Sequence, residues 1–499
     1  MRARFFALTS TLLLLAAPPQ APADNFRIRV DSRVQSVAFR GVSLDSIPLA
    51  DVVVGAGGGL ETPDGIAVRC PPGSVNCYFF RPGQRRRVEP WVTTADLTYW
   101  GFGVPGLSLR ASSRITAESG DANEWPGTDP AAQLLVGYLD YAGSRVAARL
   151  GRLQELTRFG SVGFDGARAE VRAFDRRIRA GAYGGWGLAG ATALPATSPT
   201  LDPLDDFRPE RRQHLVGTDV RVSCAGTETL VLYQREVDPR ADDFVSERVG
   251  AETRWSAPLD LTLTAGADYD VASGFWGSAE SRVSWSGSGL VDAASAGVRR
   301  YRPHFDLWTI WGVFSPVPYR AASGDVGVRP RGDLRLRLRG ETWDYEDTEA
   351  NAPLVRTEDG GWRWSATWDW TPTASWSARG GLHQEFGPGA SSLGYHGGVD
   401  HGFERASVGL DVSYLRRPLE FRFDEARVWT WGLRAGHDVG GALRLSADVR
   451  LISESRERPD AAAFDWNHAR ASLAATWAFG SETGRPVPPA VLRIPSSRR

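Results

Sequence analysis

Apolar and polar residues alternate along most of this chain. From Leu261 to Val271 every odd position is apolar and every even one is polar or Gly. Residues 333–340 read Asp-Leu-Arg-Leu-Arg-Leu-Arg-Gly. Trp362, Trp364, Ala366, Trp368 and Trp370 alternate with Arg363, Ser365, Thr367, Asp369 and Thr371. Leu443, Leu445, Ala447, Val449 and Leu451 alternate with Arg444, Ser446, Asp448 and Arg450, and the last such run carries Leu473, Ala475, Trp477 and Phe479 on one side. A period of two marks strands with one apolar and one polar face. The runs are roughly nine to eleven residues long, the length a tilted strand needs to cross a bilayer. Strands of soluble proteins average about five or six.

The runs also come in pairs. Leu107–Ala117 follows Val92–Gly103, Leu259–Val271 follows Glu247–Ser256, and Leu443–Leu451 follows Val428–His437, each across a short turn rich in Pro or Gly. Longer polar segments at 118–130, 189–212, 346–360 and 453–467 suit loops on the outer side. Short turns alternating with long loops describe a meander that closes on itself. The span 91–479, with one more run at 26–39, holds on the order of 20 strands, an even total being expected. The predicted fold is all-β: a large antiparallel up-and-down transmembrane β-barrel.

Composition agrees. Hydrophobic residues make up 42% and mean hydropathy is −0.28, far too polar for a bundle of membrane helices. A barrel tolerates this, because only every second residue meets lipid. The 19 Trp, 12 Tyr and 21 Phe are a high aromatic load, and Trp and Tyr favour membrane interfaces. All 58 basic residues are Arg, and the formal net charge of −1 gives no argument for a nucleic-acid partner.

The first 23 residues have the layout of a secretory signal peptide: Arg2 and Arg4, an apolar run from Phe5 to Ala17, and Ala21-Pro22-Ala23 before Asp24. No later window holds eighteen uninterrupted apolar residues. The barrel is expected over 24–479, and the Pro- and Arg-bearing tail 480–499 is expected to be disordered.

The pattern resembles bacterial outer-membrane porin-like barrels. Tyr138 to Tyr141 leads through Arg145–Arg152, ending Gly151-Arg152, to Gly163-Phe164-Asp165-Gly166, which is similar to a Gly-Arg … Phe-Asp-Gly stretch of such barrels. Phe479 fits the terminal aromatic that their assembly machinery reads, although a tail follows it here. The resemblance implies a place in the outer membrane, lipid around the barrel, and a homo-oligomer as one form it could take.

Residues 41–90 break the alternation. Gly55-Ala-Gly-Gly-Gly59 and Pro63-Asp-Gly65 mark turns, Cys70 and Cys77 are placed to form a small disulfide loop in an oxidising compartment, and Arg81 and Arg85–Arg87 follow. Such an insert is either a plug over one mouth or a stapled surface loop. Cys224 is left over at a strand end.

Catalytic and metal chemistry find little support. The seven His (His214, His304, His383, His396, His401, His437 and His468) match no HExxH or His-x-His pattern. His396, Asp400 and His401 are the one local grouping from which a metal site could be built, and they read as solvated loop residues. There is no Gly-x-Ser-x-Gly elbow and no Walker-type loop, so no enzyme activity and no cofactor are expected.

A lipid-facing Arg at mid-depth costs about 2–4 kcal/mol. That cost turns Arg335, Arg337 and Arg339 inward, opposite Leu334, Leu336 and Leu338. The same argument makes Arg168, Glu170, Arg172, Arg363, Arg379, Arg444, Asp448 and Arg450 candidate pore-lining residues, with Asp268, Asp270, Asp369 and Asp411. Arg keeps its charge and grips carboxylate or phosphate in a fork. The expected function is a channel for passive diffusion of small hydrophilic solutes with a weak anion preference. The alternatives are a secreted all-β glycan-binding protein using exposed Trp, and a non-conducting barrel that serves as scaffold for a partner protein.

Overall fold

The computed structural model describes residues 25–55, 58–120, 132–188, 213–237, 244–302, 318–346, 360–387, 390–419, 425–440, 442–457 and 466–480. The expected leader and the C-terminal tail beyond Gly480 lie outside these residues, as does most of each long loop. β1 (Phe26–Pro48) and β4 (Asn76–Tyr99) form a long hairpin, with β2 (Val53–Val54) and β3 (Leu60–Glu61) as a small separate sheet between them. There follow β5 (Leu107–Gly120), β6 (Ala132–Ala142), β7 (Val146–Thr157), β8 (Gly160–Ala173), β9 (Ile178–Gly187), β10 (His214–Cys224), β11 (Thr227–Val237), β12 (Phe244–Ala257) and β13 (Leu261–Asp270). Next come β14 (Phe275–Ser286), β15 (Val291–Tyr301), β16 (Tyr319–Arg331), β17 (Leu334–Tyr345), β18 (Gly360–Thr373) and β19 (Trp376–Gly387). The last are β20 (Ala390–Gly402), β21 (Ala406–Leu419), β22 (Glu425–Asp438), β23 (Leu443–Glu457) and β24 (Trp466–Gly480).

From β4 to β24 each strand pairs antiparallel with the next, and β1 pairs with both β4 and β24. The outcome is one closed sheet of 22 strands, an even number and a barrel without a free edge. The predicted hairpins are all present, as β4–β5, β12–β13 and β22–β23. Connections at the end where β4 finishes and β24 ends are short. The two-residue turn between β10 and β11 holds Ala225 and Gly226 at φ 47° and 79°, the left-handed pair that matches the twist of a tight hairpin. The loops expected at 118–130, 189–212, 346–360 and 453–467 all leave from the opposite end. Among the described residues no helix is long and apolar enough to cross a membrane.

The first strand outruns its sequence signal. Alternation fades near Phe39, yet β1 stays paired with β4 as far as Pro48 opposite Asn76. β24 accompanies β1 only to Val37, and β5 accompanies β4 only to Val88. The remainder, 38–48 and 76–87, therefore leaves the wall as a two-stranded ribbon. Much of the insert 41–90 is strand, because backbone pairing orders it where Arg and Pro interrupt the side-chain pattern. Its tip carries the Cys70–Cys77 disulfide and a small core of its own in Thr62, Ile66, Cys77 and Phe79. Cys224, the last residue of β10, is an exposed free thiol.

Candidate functional site

Residues directly opposed in an antiparallel pair point to the same face, so the register carries one face around the barrel. From Arg335, Arg337 and Arg339 on β17 that face takes in Arg363 and Asp369 on β18, Arg379 on β19, Asp411 on β21, and Arg444, Asp448 and Arg450 on β23. In the other direction it reaches Asp325 on β16, Asp268 and Asp270 on β13, and Arg168, Glu170 and Arg172 on β8. All the candidate residues thus share one face. The other face exposes Leu336, Leu338, Leu410, Leu433, Leu451 and Leu473, together with Trp362, Trp368 and Trp370. The Trp-rich run therefore sits in a continuous apolar belt and does not line a sugar-binding cleft.

Ion pairs identify the charged face as the concave one. Arg168 on β8 reaches Asp219 on β10 at 2.8 Å, passing over Gly181 on β9. Arg335 on β17 reaches Asp292 on β15 at 3.0 Å over Gly327, and Arg434 on β22 reaches Asp400 on β20 at 3.0 Å over Gly409. Within the strands, curvature draws side chains two strands apart toward one another on the inside of the sheet. The glycine between them is needed for space: a Cβ at Gly181 would lie 2.7 Å from Asp219 Oδ1, and one at Gly327 or Gly409 would collide with the carboxylate. Nearer neighbours pair as well, with Arg172–Glu170 at 2.6 Å, Arg337–Asp325 at 2.5 Å, Arg363–Glu341 at 3.1 Å and Arg450–Asp448 at 3.2 Å. Arg379 lies 4.0 Å from Asp400, and Arg444 lies 3.8 Å from Asp438. Arg339 makes no ion pair among the described residues.

The wall itself folds inward at one place. Gly151 on β7 lies opposite Gly166 on β8, which lies opposite Gly185 on β9. A Cβ at any of the three would collide with a neighbouring strand's backbone, and Gly151 has φ +137°. This line of glycines lets three strands crease sharply. Beyond it β7 has lost β6, whose pairing ends at Arg152, and β8 has lost β9, whose pairing ends at Phe164. The free end of the hairpin turns over the inner wall and buries Leu153 and Phe164 against Tyr183 and Leu215. The Tyr183 hydroxyl donates to Gln234 on β11 at 3.0 Å. The Gly-Arg … Phe-Asp-Gly stretch sits at this crease, where Arg152 grips Asp165 in a fork at 2.8 and 3.1 Å on the opposite face.

The hairpin tip, Arg158-Phe159, lands on the inner face of β12–β14. Arg158 donates to Asp268 at 3.1 Å, Glu280 at 2.9 Å and Ser278 at 2.6 Å, and lies 3.7 Å from Glu252. Ser278 in turn donates to Asp268. Arg248 stacks over the Phe159 ring at 4.9 Å. Two glycines make the seat: a Cβ at Gly250 would lie 3.0 Å from Phe159, and one at Gly266 would collide with the Arg158 guanidinium. Sequence reasoning singled out Asp268 but missed Arg158, Phe159, Glu252 and Glu280. The available signal was Gly250 and Gly266, inward-facing glycines within otherwise regular strands, where a close approach is the usual reason.

The His396–Asp400–His401 grouping lies on strand β20 and not on a loop. His396 and Asp400 share the lumen face, whereas His401 points the other way and packs between Trp376 and Phe403, each ring at 4.3 Å. Period-two geometry separates them, and among the described residues no group of side chains is placed to hold a metal.

No protein-family model and no curated protein matches the chain. Among solved structures, the copper transporter OprC superposes with a TM-score of 0.50 at 9% identity, over 92% of this chain and 81% of that one. The siderophore receptor PirA from Pseudomonas aeruginosa gives 0.43 at 10% identity, over 92% and 81%. OpdK from Pseudomonas aeruginosa, solved with vanillate, gives 0.38 at 11% identity, over 92% and 100%. At these identities the likeness concerns the fold. A closed, even-stranded antiparallel barrel with a charged interior and an apolar belt is the fold of bacterial outer-membrane β-barrel proteins, and its apolar exterior suits that membrane.

Proposed function

We propose that the barrel is an outer-membrane channel for passive diffusion of small hydrophilic solutes, with a weak preference for anions. One observation carries the preference: in the lumen ion pairs of β15–β18 the carboxylate is more deeply buried than the guanidinium. Asp325 is 9% exposed beside Arg337 at 57%, and Glu341 is 5% exposed beside Arg363 at 45%. A short acid stays against the wall, while the longer Arg reaches past it into water. Along this part of the wall a solute therefore meets mostly positive charge, even where charges balance. Reversal potentials across a planar bilayer in a salt gradient test this, and clear cation selectivity would sink the preference.

The ribbon and its stapled tip favour one addition. Val54, Val75 and Phe80 are exposed there although the tip stands outside the wall, and exposed apolar surface of this kind suits contact with a protein partner. On this reading the ribbon is a surface element and leaves the bore free. Deleting residues 49–75 is expected to leave single-channel conductance unchanged; a rise in conductance would make the segment a plug instead.

A further inference from the structure

A recess lies on the outside of the barrel wall. Register places Ala251, Ala265, Ala267, Ala279 and Ala322 on the lipid-facing side of β12–β16. Bulky rows border them, with Val249, Tyr269 and Trp276 on one side and Trp255, Leu263 and Val283 on the other. The small side chains leave a trough of about 830 Å³, inside the range of about 300–1,000 Å³ of ligand pockets.

The trough has a polar end. Arg300, Arg320 and Asp344 line it close to the ends of β15, β16 and β17 that face the long loops. Arg300 and Arg320 both bind Glu346, at 2.6 and 3.1 Å. The hydrogen bond from Arg300 holds the Glu346 carboxyl below the usual carboxylate range, so the acid stays charged and fixes both guanidiniums. Arg320 nevertheless remains 75% exposed.

We propose that this trough seats one acyl chain of a phosphate-bearing lipid of the outer leaflet, with the phosphate on Arg320. A recess facing hydrocarbon must be filled by hydrocarbon, and in a bilayer the gain comes from close van der Waals packing. A flexible chain enters a channel one or two side chains deep. A second barrel, presenting the same belt of Leu and Trp, bridges the two bulky rows without filling it. At the polar end Arg320 offers a fork to phosphate oxygens, and Asp344 accepts from the hydroxyl or amine groups such headgroups carry.

Native mass spectrometry of the barrel, extracted from bacterial outer membranes in mild detergent, tests this. Wild type is expected to carry an adduct with the mass of a phosphate-bearing lipid. Ala267→Phe, which fills the trough, and Arg320→Gln, which removes the headgroup contact, each lose it while keeping heat-modifiable gel migration; Ala279→Leu replaces Ala267→Phe if that variant fails to fold. Equal adduct occupancy in the filled variant overturns the proposal. So does a wild-type dimer that the filled variant converts to monomer. Ion selectivity is untouched by these changes, so the result is independent of the channel reading.

Discussion

Replacing Arg158 by Ala should release the infolded hairpin tip. The guanidinium is 7% exposed and holds Asp268 at 3.1 Å, Glu280 at 2.9 Å and Ser278 at 2.6 Å. A hydrogen bond to a charged group contributes about 1.5–3 kcal/mol, and breaking a buried ion pair costs about 3–5 kcal/mol. Those figures must be discounted here. Glu252 and Glu280 are 44% and 54% exposed, so water screens their share, and only Asp268, at 15%, is left in a poor environment. A loss of about 2 kcal/mol follows, a shift of about thirtyfold toward the undocked tip. The base of the hairpin stays in place, since Leu153, Phe164, Tyr183 and Leu215 are untouched. Single-channel recording should therefore show a barrel of normal heat-modifiable migration with larger, noisier conductance. Gly266→Val should reproduce the effect without removing a charge, because its side chain would occupy the guanidinium's place. If both variants fold and conduct as wild type does, the tip does not narrow the path.

Replacing Arg337, Arg339 and Arg363 with Gln is expected to move the reversal potential toward cation selectivity, since it removes three positive charges, takes from Asp325 its Arg337 partner and leaves Glu341 with Arg299; an unchanged potential would remove the β17–β18 arginines from the selective path. Leu338→Arg places a charge in the exposed apolar belt and should lower folding stability in lipid by about 2–4 kcal/mol, read by urea unfolding, whereas Arg339→Leu, one residue on, should lower it far less. Gly409→Val should displace the Asp400 carboxylate that lies over it and break the Asp400–Arg434 pair, giving a local loss of hydrogen-exchange protection around β20–β22; unaltered protection would refute the steric argument. Changing Cys70 and Cys77 together to Ser should expose residues 49–75 to protease while heat-modifiable migration of the barrel persists, because the ribbon tip has a core of its own; loss of the folded barrel would show that the two are coupled.

The alternation of Leu261–Val271 or of Leu443–Leu451 determined strand and face without any tertiary information, whereas β23 runs six residues past its alternating stretch, to Glu457. A strand has only two sides, and a charge at mid-depth on the lipid side is costly, so parity alone assigned the candidate Arg and Asp residues to one shared face. The hairpins were legible for a similar reason, since Pro and Gly mark turns in the sequence itself. The run of β1 beyond Phe39 was not legible: its order comes from pairing with β4, from Arg40 opposite Arg85 to Pro48 opposite Asn76, and not from its own side chains. Nor could the sequence pair Arg168 with Asp219 or Arg335 with Asp292, because those contacts depend on the curvature of the closed sheet and on a glycine of the strand between. The crease at Gly151, Gly166 and Gly185 is the clearest division. Each glycine is visible in the sequence, but only the register that brings the three into one line turns them into a fold in the wall, and only that fold delivers Arg158 to Asp268 and Glu280.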